Sequence, residues 1–160
     1  MQQQEQHCPK NREQVAALLR GLFQQQLHLV LATHDGAAPY TSLMAFAPAA
    51  DLDRLFFVTS RATHKYSNMA AHNQVSALID NRTNRNDDFQ SALAVTALGQ
   101  AVELLGKDRN GPLALFLHRH PELEPFCRAP STALMALMVR RYILVGRFDE
   151  VHLFDIETIA

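Results

Sequence analysis

Leu55-Phe56-Phe57-Val58-Thr59-Ser60-Arg61-Ala62-Thr63-His64-Lys65 is the stretch on which the fold turns. Its first half is aromatic and β-branched, the composition of a strand that fits a pleated, half-buried surface. Its second half gathers hydroxyls, a guanidinium, an imidazole and an ammonium between Thr59 and Lys65. Tyr66, Met69 and Ala70 then restore helical spacing. A strand therefore passes through a polar loop into a helix start, where unpaired N–H groups and the positive end of the dipole suit an anion. Thr59 to Lys65 is the candidate phosphate cradle. The bland alternative is a helix capped by Ser60 or Thr63, with Arg61 and Lys65 solvated.

Upstream, Val15, Leu18, Leu19 and Leu22 predict an amphipathic helix over Pro9–Gln26, with Asn11-Arg12-Glu13-Gln14 resembling a capping box. From Leu27 the period changes to two, and His34-Asp35-Gly36 supplies turn chemistry before a hairpin partner in Tyr40–Ala47. Downstream, Val75–Asp80 reads as a strand, Asn81–Gln90 as an exposed loop and Ser91–Leu105 as a long strand. Lys107–His120 is helical, Pro125–Pro130 irregular, and Ala133–Asp155 gives one or two closing strands. Some six strands with turn-length connections and interspersed helices predict a mainly β fold with flanking helices. The architecture expected is an antiparallel barrel, because parallel crossovers need longer connections. The whole chain, 1–160, is expected to be one domain, with residues 1–26 packing a helix on the barrel.

With 48% hydrophobic and 19% charged residues, the chain has the apolar content of a packed globule and not of a disordered one. Fifteen Lys+Arg against sixteen Asp+Glu leave a formal charge of −1, so no general positive field gathers nucleic acid. Met1–His7 is polar and Gln-rich, and no long apolar run occurs, which predicts a soluble cytoplasmic protein with no membrane partner. Cys8 and Cys127 are too far apart for a CxxC motif and too few for a disulfide framework. No metal site is expected: His118 and His120 lie two apart on a predicted helix and project about 200° from each other. Leu134, Met135, Leu137 and Met138 form an apolar run, read as a buried strand or as part of a subunit interface.

The order of these pieces resembles the FMN-binding split barrel of the pyridoxamine 5′-phosphate oxidase-like superfamily. The likeness rests on Leu31-Ala32-Thr33-His34-Asp35-Gly36-Ala37-Ala38-Pro39-Tyr40, on Leu55–Ser60, and on Thr63–Met69 followed by Asn73-Gln74-Val75-Ser76. Leu117-His118-Arg119-His120-Pro121 and Leu144-Val145-Gly146-Arg147-Phe148 add a likeness to the haem-utilisation branch. The resemblance implies an FMN cofactor, with Thr59, Ser60, Thr63, His64 and Lys65 holding the phosphate and ribityl chain and Arg61 assisting. It also implies that Ser42, Leu43 and Met44 lie along the flavin ring and meet its polar edge through backbone groups. His64 stands where true pyridoxamine phosphate oxidases carry Arg, Ala47 where they carry Lys, and their C-terminal substrate-binding segment is not matched. The expected function is therefore that of a flavin-dependent oxidoreductase acting on a different small molecule, or of a haem-handling protein or flavin carrier of the same fold. No catalytic residue is assigned. The resemblance further implies a homodimer with flavin between subunits, to which Asn84, Arg85 and Gln100 are candidate partner contributions.

Overall fold

The structure, a computed structural model, describes residues 10–146 and 150–157. The Gln-rich start, Cys8 and the Arg147-Phe148 piece of the haem-branch likeness lie outside them. Helix α1 (Arg12–Gln25) begins with the expected capping box: the Gln14 N–H donates to Asn11 Oδ1 and the Asn11 N–H to Gln14 Oε1, each at 2.9 Å. Its buried stripe of Val15, Ala16, Leu19, Leu22 and Phe23 enters the main core. There the Phe23 ring meets Phe46 edge-on at 5.8 Å and Tyr142 at 5.7 Å.

Strands β1 (His28–His34) and β2 (Pro39–Ala45) form the expected hairpin, followed by short β3 (Ala47–Pro48) and by β4 (Arg54–Ser60). Helix α2 (His64–Ala71) leads into β5 (Gln74–Asp80), and α3 (Asp88–Ser91) into β6 (Leu93–Glu103). Helices α4 (Asn110–Arg119) and α5 (Glu124–Arg128) precede β7 (Thr132–Gly146) and β8 (Glu150–Asp155). The sheet order is β2-β1-β5-β6-β7-β4-β3, with β8 beside β7, and every pairing is antiparallel. The sheet curls until β2 nears β4, yet no ladder joins them. This is the split barrel expected from the hairpin-length connections.

The structure refines the sequence reading in several details, among them α3, which begins within the expected Asn81–Gln90 loop. Pro125–Pro130 contains α5, started by Pro125 in its first turn and braced by a hydrogen bond of 2.8 Å from Arg128 Nε to Glu124 Oε1. The strand expected over Ser91–Leu105 is trimmed to Leu93–Glu103, because Ser91 closes α3. Finally, residues 132–137 are buried on both faces of β7: Met135 and Leu137 enter the main core, while Leu134 joins Phe116 and Cys127 beneath α4 and α5. The apolar run is thus consumed by the protomer itself, leaving only Met138 exposed, and it is not a ground for a dimer.

Alternation along the strands divides the barrel wall. Leu29, Leu31, Val75, Ala77, Ile79, Val95, Ala97, Tyr142 and Leu144 face the core. On the outside, Leu43, Val30, Leu78, Thr96, Ile143 and Leu153 follow one another in register across six strands. Since directly paired residues share a face, they form one nearly apolar row. Its ends, Leu43 and Leu153, are 72% and 58% exposed.

Candidate functional site

The cradle forms where β4 ends and α2 begins. Thr63 caps the helix, its hydroxyl accepting from the Tyr66 N–H at 3.4 Å and donating to the Ser60 carbonyl at 2.8 Å. The Ser60 side chain accepts from the Ala62 N–H at 3.2 Å. Thr59 is buried, and its hydroxyl bonds to that of Thr63 at 3.0 Å. These bonds fix the loop so that the first backbone N–H groups of α2, on His64 and Lys65, stay free of intrahelical acceptors. His64 is exposed and lies across the Tyr40 ring at 5.0 Å. The Lys65 ammonium has no ion pair among the described residues. Ser60, Thr63, His64 and Lys65 are therefore brought together, with Thr59 behind them as a support.

Arg61 is engaged elsewhere. Its Nε donates to Glu103 Oε1 at 3.1 Å, Nη2 contacts the same oxygen, and Nη1 donates to the Pro130 carbonyl at 2.7 Å. The Tyr66 hydroxyl donates to the other Glu103 oxygen at 2.6 Å. Burial pushes the Glu103 carboxyl up, but the bonds from Arg61 and Tyr66 outweigh it and hold the group below the usual carboxylate range. The same Glu103 contact raises the Tyr66 phenol. The charge of Arg61 is thus balanced on the spot, and Lys65 is the cation the cradle has to offer.

Across the split stands the open edge of β2. The ladder to β1 is phased by bonds from the Phe46 N–H to the Leu27 carbonyl, 3.2 Å, and from the Asp35 N–H to the Ala38 carbonyl, 3.4 Å. In an antiparallel ladder such pairs alternate. Tyr40, Ser42 and Met44 consequently direct their backbone groups at β1, whereas Thr41, Leu43 and Ala45 direct theirs at the open edge. The side chains alternate too: Ser42 and Met44 point inward, and that of Leu43 points out of the barrel. Of the three residues expected along a flavin ring, the inner face thus receives two side chains and the edge receives one backbone unit. The same end is tied to α2 through buried Asn68, whose Nδ2 donates to Thr33 Oγ1 at 3.1 Å.

Local pattern gave no sign of Glu103 or Asn68, whose contacts span 42 and 35 residues of chain. Tyr40 and Tyr66 were visible only as a hairpin start and as helical spacing. The histidines set aside as metal ligands have other settings: His120 is buried with Nε2 2.8 Å from the Phe46 carbonyl, and His118 is exposed. Asn84 and Arg85 sit in the exposed loop, and Gln100 is exposed on β6. The cradle itself lies on open surface, whereas a cavity of 730 Å³ opens at the far end of β4.

The chain is similar in fold to a haem-binding protein from Mycobacterium smegmatis, at 18% identity and TM-score 0.75 over 88% of this chain and 57% of that one. It thus spans little more than half of that protein's length. HutZ, the haem storage protein of Vibrio cholerae, aligns at 18% identity and TM-score 0.70 over 82% of this chain and 93% of its own. An FAD-binding protein from Mesorhizobium loti aligns at 15% identity and TM-score 0.66 over 81% and 90%. No match is found among curated proteins. The pyridoxamine 5′-phosphate oxidase family model matches residues 14–140. That match takes in both sides of the split, the cradle on α2 and the open edge of β2, and the chain belongs to the pyridoxamine 5′-phosphate oxidase family.

Proposed function

We propose that this protein binds FMN in the split between β2 and α2 and is an oxidoreductase acting on a small molecule. The observation that carries the reading is the pairing of an uncommitted ammonium and free helix N–H groups, on Lys65 and His64, with a backbone edge left open at Thr41, Leu43 and Ala45. FMN asks for that combination: cations and hydroxyls for a dianionic phosphate and polyol, then hydrogen-bonding backbone beside an apolar ring. Lys65 with the His64 and Lys65 N–H groups would hold the phosphate, Ser60 and Thr63 the neighbouring hydroxyls, and Met44 an inward wall near the ring. When bound, the flavin supplies the electron transfer. The chain orients it and screens one face from water.

The dimer belongs to this proposal, now on a different surface. The outer row from Leu43 to Leu153 is the apolar face that a second copy would cover, and an obligate interface buries more than about 2,000 Å². A cytoplasmic location is likewise proposed, supported by the free, buried Cys127 thiol and by the lack of a membrane-crossing helix among the described residues.

Titration of FMN and riboflavin into the apoprotein tests the site. Hydrogen bonds to a charged group contribute about 1.5–3 kcal/mol each, so riboflavin is expected to bind at least about 100-fold more weakly. Lys65→Ala should weaken FMN by about tenfold or more, leave riboflavin nearly unchanged and flatten the salt dependence. Equal affinity for the two flavins would overturn the cradle. The haem-binding relatives supply the competing reading, and a Soret band in place of flavin bands in the purified protein would favour it.

A further inference from the structure

We propose that the cavity at the far end of β4 is a second small-molecule site, taking a zwitterion: an α-amino acid with an apolar side chain. Its 730 Å³ falls within the range of about 300–1,000 Å³ typical of small-molecule sites. Arg54 and Ser60 are the two ends of β4, about 20 Å apart at the rise of a strand, so this site is separate from the cradle.

Two departures from regular backbone deliver its charged groups. Between β6 and β7 the register slips, Leu98 pairing with Arg141 but Gly99 with Val139, which leaves Arg140 as the extra residue of a bulge. Gly99 makes this possible, since a Cβ there would stand 2.0 Å from the Met138 carbonyl oxygen. Beside the bulge, where the Val139 N–H donates to the Asp53 carbonyl at 2.8 Å, Leu52 takes a left-handed φ of 66° between Asp51 and Asp53. Its buried side chain and the Tyr142 hydroxyl, donating to its carbonyl at 2.7 Å, hold it there. Asp51 and Asp53 both line the cavity as a result.

The ligand class follows from which charges are already answered. Arg12 stacks on Phe154 at 4.3 Å, donates to the Asp155 carbonyl at 2.8 Å and approaches Glu157. Asp155 is bound by Arg141, and Asp53 by Arg54 at 3.2 Å. What remains is one guanidinium, that of Arg140, which feels Asp155 only at a distance and has no side-chain hydrogen bond or ion pair among the described residues, and formally one carboxylate more at Asp51 and Asp53 than Arg54 can balance. A carboxylate on Arg140 and an ammonium on Asp51 would meet both. The same cavity is lined by Met138, Val139, Phe154 and Ile156, beside Gln74 and Gln100, and the apolar members suit an aliphatic side chain.

L-Leucine serves as the probe, with L-leucinamide, which lacks the carboxylate, and N-acetyl-L-leucine, which lacks the ammonium, as controls. Binding to the full-length protein is read by saturation-transfer NMR. Leucine should bind at about millimolar Kd or tighter, and each control about tenfold or more weaker. Arg140→Ala and Asp51→Asn should each weaken leucine by about tenfold, and Lys65→Ala should leave it unchanged. Unaltered circular dichroism would show that the variants fold, and the control compounds need no variant at all. No leucine binding, equal binding of all three compounds, or binding indifferent to Arg140→Ala would overturn the proposal. Because Lys65→Ala affects only the cradle, failure here is distinct from failure of the flavin reading.

Discussion

Glu103 shows how far a single side chain can reach in this fold. Standing at the end of β6, it receives the guanidinium of Arg61 and the phenol of Tyr66, and so ties the loop before α2 to the helix's own first turn. Its carboxyl is held below the ordinary range, so its contribution to stability is present above the unfolded-state pKa and is lost as pH falls through the lower folded-state value. Glu103→Gln should therefore lower stability at neutral pH by about 1–2 kcal/mol, discounted for partial exposure of Arg61, and the gap to wild type should close in acid. Urea unfolding at two pH values measures it. Arg119 acts similarly at the other side of the core, Nη2 meeting the carbonyls of Phe23 and Gln26 where α1 ends. Arg119→Met should cost about 2 kcal/mol with an unchanged m-value, because it leaves those carbonyls without a charged donor. The motif Leu117–Pro121 could be spotted in the sequence, but these roles could not, since each partner comes from a distant element.

At the scale of elements, local chemistry was a good guide wherever it was self-sufficient. The capping box of α1, the period-two run of β1 and the turn at His34-Asp35-Gly36 each carry their own instructions within a few residues. Helix α5 was missed because Pro125 reads as a breaker unless it falls in the first turn, and that depends on where the preceding chain ends. The open edge of β2 could not be read at all, because which strand lacks a neighbour is decided by the closure of the sheet. The bulge at Gly99 has the same origin, and a glycine inside a strand only hints at it. Gly99→Ala should force β6 away from Met138 and cost about 2–3 kcal/mol, detectable as a lowered urea midpoint. Gly111→Ala is the control, since a Cβ at that position meets nothing within 4 Å.

Over the whole molecule, the outer row of Leu43, Val30, Leu78, Thr96, Ile143 and Leu153 is the face on which the proposed dimer would form. Leu153→Glu should convert the proposed dimer into a monomer by sedimentation, because it places a charge within an apolar interface. FMN affinity should fall with it if the second subunit completes the site. A wild-type monomer that still carries flavin would remove the dimer from the proposal. The open edge of β2 has a further consequence. Unpaired strand edges are templates on which other chains polymerise, and proteins usually blunt them with charge, proline or a covering element. Here Pro39 blunts only the first position, and Thr41 to Ala45 carry no charge. A molecule seated against that edge would act as a chaperone in miniature, keeping the strand from recruiting another copy. Flavin-free protein is accordingly expected to scatter light on gentle heating well before the FMN-loaded form does. Solubility during production should then follow the supply of flavin as closely as it follows the sequence itself.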